Sequence, residues 1–171
     1  MTNSDDEATL VGITADEKWF VVLIDFPDQN ENSNCNQQRA SNLIDDSAKD
    51  HIKQAFGQSI SLDIDYYDEI ITTNSPLGDY GHDIDWEKDV GKNGVNPHIL
   101  AQEIVNKIKG DVSDWSKYDL NDDGWVDRFL ILHCTKPQED GGGANSRIWS
   151  HFSSIEEVVD LPGDMKISHY T

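Results

Sequence analysis

Apolar residues fall in short blocks along this chain, and their spacing changes from block to block. Trp19–Asp25 (Trp-Phe-Val-Val-Leu-Ile-Asp) is one continuous β-rich run, the pattern of a strand buried on both faces, and Pro27 stops it. Gln29–Gln38 is a polar loop of Asn, Ser and Gln. Leu43, Ile44, Ala48, Ile52, Ala55 and Phe56 then recur close to the helical period, and Gly57 ends that helix. Ser59–Tyr67 alternates, with Ile60, Leu62, Ile64 and Tyr66 on one face and Ser61, Asp63 and Asp65 on the other. This is a half-exposed strand, with Glu69–Thr73 as its candidate partner. Asn74–Asn96 reads as a long acidic loop. Asn96 caps a second helix with Pro97 at its first position; Ile99, Leu100, Glu103, Ile104, Lys107 and Ile108 form its stripe and Gly110 closes it. Arg128–Cys134 is a second buried strand. A Gly141-Gly142-Gly143 hinge follows, then Arg147–Phe152 as a short strand suited to an open sheet edge. Strands alternating with two helices predict an α/β fold with a largely parallel twisted sheet. Residues 1–17 are polar and read as a frayed, disordered tail; residues 18–171 form one domain without internal repeats.

Composition narrows the partners. The 171 residues carry 33 acidic against 13 basic side chains, a formal charge of −20, with mean hydropathy of −0.62. Nucleic acid and anionic membrane are excluded as expected partners, because neutralising phosphates needs clustered Lys and Arg, and here they are scattered. No apolar run approaches the ~18 residues a membrane span requires. Met1–Glu7 has neither a basic nor an apolar segment, so no signal peptide is expected. Cys35 and Cys134 are far apart in sequence, and whether they pair stays open.

One segment carries candidate chemistry. Asp119-Leu120-Asn121-Asp122-Asp123-Gly124-Trp125-Val126-Asp127 places oxygen-bearing side chains at positions one, three, five and nine, with Gly at six. A calcium ion takes six to eight hard oxygen ligands, so Asp119, Asn121, Asp123 and Asp127, with the backbone carbonyl of Trp125, form a candidate Ca²⁺ site. The plainer alternative is an acidic turn in an acidic protein. Position twelve, a bidentate Glu in an EF-hand, is Leu130 inside a core strand, so the loop reads as a structural staple and not a sensor.

Catalytic motifs are missing from these residues. His51, His82, His98, His133, His151 and His169 include no i, i+4 pair, so there is no His-Glu-x-x-His zinc helix. There is no Gly-x-Ser-x-Gly elbow and no phosphate-binding Gly-rich loop. Adjacent His133 and Cys134 point to opposite faces of a strand and cannot pair locally. No catalytic residue is assigned.

Several blocks nevertheless line up in order: Val21-Val22-Leu23-Ile24-Asp25-Phe26-Pro27-Asp28-Gln29, Ala55–Leu62, Tyr80-Gly81, Tyr118–Asp127, Gly141–Gly143 and Ile148-Trp149-Ser150-His151. Together they resemble the N-terminal half of the catalytic domain in the immune inhibitor A family of secreted zinc metalloproteases (peptidase family M-six), over roughly residues 19–170. The resemblance implies an incomplete zincin-like α/β subdomain, Ca²⁺ on the aspartate loop, and secretion. It also implies Zn²⁺ only in a full-length enzyme, on a His-Glu-x-x-His beyond Thr171 and the strand that would end near it. Arg147, Ile148, Trp149, Ser150 and His151 would form or flank the edge on which an extended protein or peptide substrate lies. The alternative from a different class is a non-catalytic, Ca²⁺-stabilised binding or structural module. Oligomeric state is not legible.

Overall fold

The computed structural model describes residues 8–29, 35–57, 60–140 and 146–171. The expected Gly141–Gly143 hinge, the middle of the Gln29–Gln38 loop and the first seven residues of the tail lie outside them.

β1 (Asp16–Asp25) is the centre of the molecule. Phe20, Val22 and Ile24 enter one apolar cluster and Val21 and Leu23 another, which is why this strand shows no polar alternation. β2 (Ser61–Tyr66), β3 (Ile71–Thr72) and β4 (Phe129–His133) all pair with β1 in parallel. Phe20 faces Asp65 and Phe129 at once, and Ile24 faces Ile71 and His133. A strand has two edges, so β2 and β3 share one and β4 holds the other. The expected pairing of Glu69–Thr73 with Ser59–Tyr67 is therefore corrected. The second segment continues along the same edge of β1 and does not fold back on β2.

α1 (Gln37–Phe56) begins six residues before the apolar stripe, because Asn36 supplies a cap: its Oδ1 accepts from Arg39 N at 2.8 Å. Gly57, at φ 68°, closes the helix in the left-handed conformation. Cys35 and Cys134 form a disulfide, with Cα atoms 5.0 Å apart, that ties the start of α1 to the end of β4. The expected loop at Asn74–Asn96 holds a short helix, α2 (Leu77–Tyr80), and two tight turns, Ile84–Glu87 and Lys92–Val95. α3 (Pro97–Ile108) has the expected bounds, with Asn96 Oδ1 accepting from Ile99 N at 3.0 Å. Its buried face of Leu100, Ala101, Ile104, Val105 and Ile108 packs in the larger core.

A separate antiparallel hairpin, β5 (Ser153–Leu161) and β6 (Met165–Tyr170), completes the fold. It adds Ile155, Val159, Leu161, Met165 and Ile167 to the larger core. The molecule is thus mixed α/β, a four-stranded parallel sheet with a small second sheet and few helices. No helix among the described residues is long and apolar enough to cross a membrane.

Two expectations about chain ends and edges are corrected. Residues 8–17 are tethered: Arg128 Nη2 donates to the carbonyls of Val11 (3.1 Å) and Gly12 (2.8 Å), and Asp16 and Glu17 already belong to β1. Arg147–Phe152 is no strand; regular pairing starts at Ser153. Three of its backbone groups are bonded to other segments. Trp149 N donates to Asp89 Oδ2 (3.0 Å) and Ser150 N to Glu139 Oε2 (3.3 Å), while the Ile148 carbonyl accepts from Gln138 N (3.1 Å).

Candidate functional site

The aspartate loop is built between two fixed points. Before it, Trp115–Tyr118 forms a 3₁₀ turn capped by Asp114, whose Oδ1 accepts from Ser116 N at 3.1 Å. Trp115 and Tyr118 are buried against Phe20, at ring separations of 5.3 and 4.9 Å. After it, the chain enters β4. Asp127 N donates to the Tyr118 carbonyl at 2.9 Å and closes the neck.

Inside the loop the acids are turned onto main-chain N–H groups. Asp119 Oδ2 accepts from Gly124 N (2.8 Å), and its Oδ1 accepts from Asp123 N (3.2 Å). Asn121 Oδ1 also accepts from Asp123 N (3.2 Å), so these two oxygens share one donor. Asp123 Oδ1 accepts from Trp125 N (3.0 Å), and its Oδ2 from Asn121 Nδ2 (2.9 Å) and Thr9 N (3.2 Å). Asp127 Oδ2 accepts from Leu120 N (2.6 Å). Two left-handed residues make the coil this tight, Asp122 at φ 59° and Gly124 at φ 85°. Only the second is cost-free, because glycine lacks the Cβ that disfavours this region.

Trp125 is buried and does two jobs. Lys166 N donates to the Gly124 carbonyl and Val126 N to the Lys166 carbonyl, both at 2.9 Å, which pins the loop to β6. Those bonds leave the N–H and C=O of Trp125 facing the other way, where its N–H meets Asp123. The Lys166 ammonium lies 5.3 Å from the centre of the Trp125 ring.

The electrostatics of the loop are unbalanced. Burial pushes the Asp127 carboxyl up to about 6, the charges of Asp123 and Asp119 add to it, and the Leu120 N–H and Arg128 oppose it. Arg128 is already committed to Glu17, with Nε 2.8 Å from Oε2. Burial would raise Glu17 too, but hydrogen bonds from Arg128, Thr14 and Trp19 outweigh it and hold that carboxyl below its ordinary value. Among the described residues no three His, Cys, Asp or Glu side chains stand close enough to hold a metal on their own. Of the five sequence candidates, then, the fold brings Asp119 and Asn121 onto one shared donor, Asp123 N, links the Asp123 side chain to Asn121, and sets Asp127 and the Trp125 main chain at the loop's base. An all-oxygen set with surplus negative charge fits a hard divalent cation. Closing around one requires side chains to rearrange, because Asp119 Oδ1 and Asp123 Oδ2 each already accept two hydrogen bonds, whereas Asp123 Oδ1 and Asp127 Oδ2 accept one.

The second candidate region, Arg147–His151, lies across from the outer edge of β4. Thr171 N donates to the Phe129 carbonyl (3.0 Å) and Ile131 N to the Thr171 carbonyl (2.8 Å), a parallel bridge on that edge. A cavity of about 270 Å³ opens there, lined among others by Pro97, Leu100, Ile131, Ile148, His151 and Tyr170. Arg147 lies against Gly81, where a Cβ would come within 2.5 Å of the Arg147 carbonyl carbon. His151 has Nδ1 2.6 Å from the Trp149 carbonyl and Nε2 2.7 Å from the Tyr170 hydroxyl. Asp89 stands 3.8 Å from it, its carboxyl raised by burial. Sequence reasoning missed Asp89 and Glu139 and gave Gly81 no role beyond the Tyr80-Gly81 block; Asp89 and Gly81 meet partners tens of residues away, while Glu139 meets Ser150. His133, in β4, is half-buried and its imidazole is pushed down by desolvation, the behaviour of a structural histidine.

Compared with known proteins, the chain matches no protein-family model and no curated protein.

Proposed function

We propose that these residues form the N-terminal part of a secreted zinc metalloendopeptidase of zincin-like fold, and that Asp119, Asn121, Asp123, Asp127 and the Trp125 carbonyl hold a structural Ca²⁺. The observation that carries the reading is the aspartate loop: three carboxylates and an amide oxygen on a tight coil, short of cations, fastened to β4 and β6. Bound there, Ca²⁺ would supply the missing positive charge and hold the start of β4 against the hairpin. The ordered resemblance of the other blocks supports the protease half of the reading, and the parallel α/β sheet and the disulfide are compatible with it. Strand addition of substrate on Arg147–His151 is not carried forward, because that segment is no strand and its Trp149 and Ser150 N–H groups are already bonded.

In this reading the zinc ligands and the general base lie outside residues 1–171. The 171-residue chain therefore binds no stoichiometric zinc and cleaves neither casein nor a fluorogenic peptide. A longer natural chain would carry His-Glu-x-x-His within a few tens of residues, and replacing its Glu would abolish cleavage. A continuation without that helix sinks the protease reading and leaves a Ca²⁺-stapled, non-catalytic module. The calcium half is tested separately by calorimetric melting in Ca²⁺ and in EDTA. Binding to the folded state alone raises Tm. Asp123→Ala should remove the difference, and an unmoved wild-type Tm would reduce the loop to an acidic turn.

A further inference from the structure

The turn Ile84–Glu87 stands out from the surface on a braced base. Ile84 and Glu87 exchange backbone hydrogen bonds of 3.1 and 2.9 Å, with Asp85 in the left-handed region at φ 54°. Behind the turn Asp83, its side chain only 4% exposed, accepts from Lys88 Nζ (2.9 Å), Asp89 N (3.0 Å) and Gln138 Nε2 (2.6 Å). Gly91 N donates to the His82 carbonyl at 2.9 Å, and Asp89 reaches across to Trp149 N. The turn is thus fastened to its own stem, to the segment at Gln138 and to the segment at Trp149.

On that base sits Trp86, 95% exposed, whereas Trp115 and Trp125 are buried. Exposed Asp85 and Glu87 flank it, and no ion pair among the described residues engages either. The nearest lysine in sequence, Lys88, is held by Asp83. An indole face between two unpaired carboxylates selects its occupant by charge. An apolar partner would strip water from both acids without compensation, while a guanidinium or ammonium meets the ring and the acids together. Because the loop is already fixed, little ordering cost opposes binding.

We propose that this turn is a docking point for a basic peptide segment of a partner protein, an Arg or Lys side chain lying on the Trp86 ring with Asp85 and Glu87 holding its charge. The proposal does not depend on the protease or calcium readings.

The test is fluorescence anisotropy of a dye-labelled Gly-Arg-Gly-Arg-Gly peptide at about 0.1 M salt, with the 171-residue chain titrated in. Trp86→Ala should weaken binding about fivefold and Trp86→Phe should retain most of it, since a phenyl face keeps part of the cation–π attraction. Asp85→Asn with Glu87→Gln should also weaken binding about fivefold. Asp68→Asn with Glu69→Gln, an equal charge change near the opposite β2–β3 edge, should leave it within about twofold, because salt screens charges beyond a Debye length. A Gly-Glu-Gly-Glu-Gly peptide should not bind. Unchanged binding by Trp86→Ala overturns the proposal, as does an equal loss in the two acid-pair variants, which would mean the overall negative field does the work.

Discussion

At Asp127 burial and two neighbouring carboxylates oppose ionisation, and this makes the aspartate loop sensitive to pH. A folded-state value of about 6 lies above the ordinary carboxylate value, so the contribution to stability is present below about pH 4 and is lost as pH rises through about 6. A bound cation needs the ionised form and would reverse that loss. The rise in Tm on adding Ca²⁺ should therefore be larger at about pH 7.5 than at about pH 5, read by calorimetry at matched ionic strength. An equal rise at both values would place the ion away from Asp127. Glu17 behaves oppositely. Its carboxyl is held low by Arg128, Thr14 and Trp19, so its contribution is present above its unfolded value and is lost as acid protonates it. Arg128→Met would leave Glu17 buried and unpaired, a change that costs about 3–5 kcal/mol in such sites. Urea unfolding should show that loss, and adding Glu17→Met should recover part of it. Neither Glu17 nor Arg128 stood out in the sequence: each is one charge among many, and their pairing spans more than a hundred residues.

Among elements, those legible in the sequence were the ones whose causes are local. Asn96-Pro97 and the stripe from Leu100 to Ile108 contain all that α3 needs, and its bounds came out as expected. β1 and β4 announce themselves as unbroken apolar runs because both faces of the sheet are covered. The polar first turns of α1 carry no stripe, and only the Asn36 cap marks them. The Lys92–Val95 turn had a local signal in Asn93-Gly94, both left-handed, that was absorbed into an acidic loop. Arg147–Phe152 misled for a non-local reason: its composition suits a strand, but Asp89, Glu139 and Gln138 hold its backbone. Gly81→Ala should show how close that packing is, destabilising the fold because Arg147 and Ile148 must move away from the new Cβ. α1 poses the opposite case, since few of its side chains are buried and the disulfide does much to hold it. Closing a loop of this length is worth about 4–5 kcal/mol in the chain-entropy description. Cys35→Ser with Cys134→Ser should lower stability by an amount of that order in urea. Hydrogen exchange along α1 should rise more than along α3.

Across the whole molecule the excess of acid is managed with few cations. Four of the five tyrosines donate to carboxylates: Tyr66 to Asp45, Tyr67 to Asp111, Tyr80 to Glu103 and Tyr118 to Asp65, at 2.7–2.8 Å. Burial first, then these acids, push the hydroxyls of Tyr67 and Tyr80 up to about 12, so they remain neutral donors. Such bonds satisfy a carboxylate without cancelling its charge. The lysines are spent locally, Lys18 on Asp63 and Asp65, Lys107 on Glu103. The −20 is what is left after every Lys and Arg is counted, so it has no cation in the chain to offset it, and at low ionic strength it acts against the compact state. Screening shortens that repulsion to about 10 Å near 0.1 M salt. With Ca²⁺ held saturating, so that site occupancy does not change, Tm should climb with NaCl and then level off as the Debye length falls below the spacing between acids. The ion pairs just named weaken with salt, but exposed pairs contribute only about 0–1 kcal/mol each, too little to reverse the trend. A Tm that is flat or falls from low to moderate salt would mean the tyrosine bonds and local pairs already balance the field, and that net charge is a poor measure of strain in this fold.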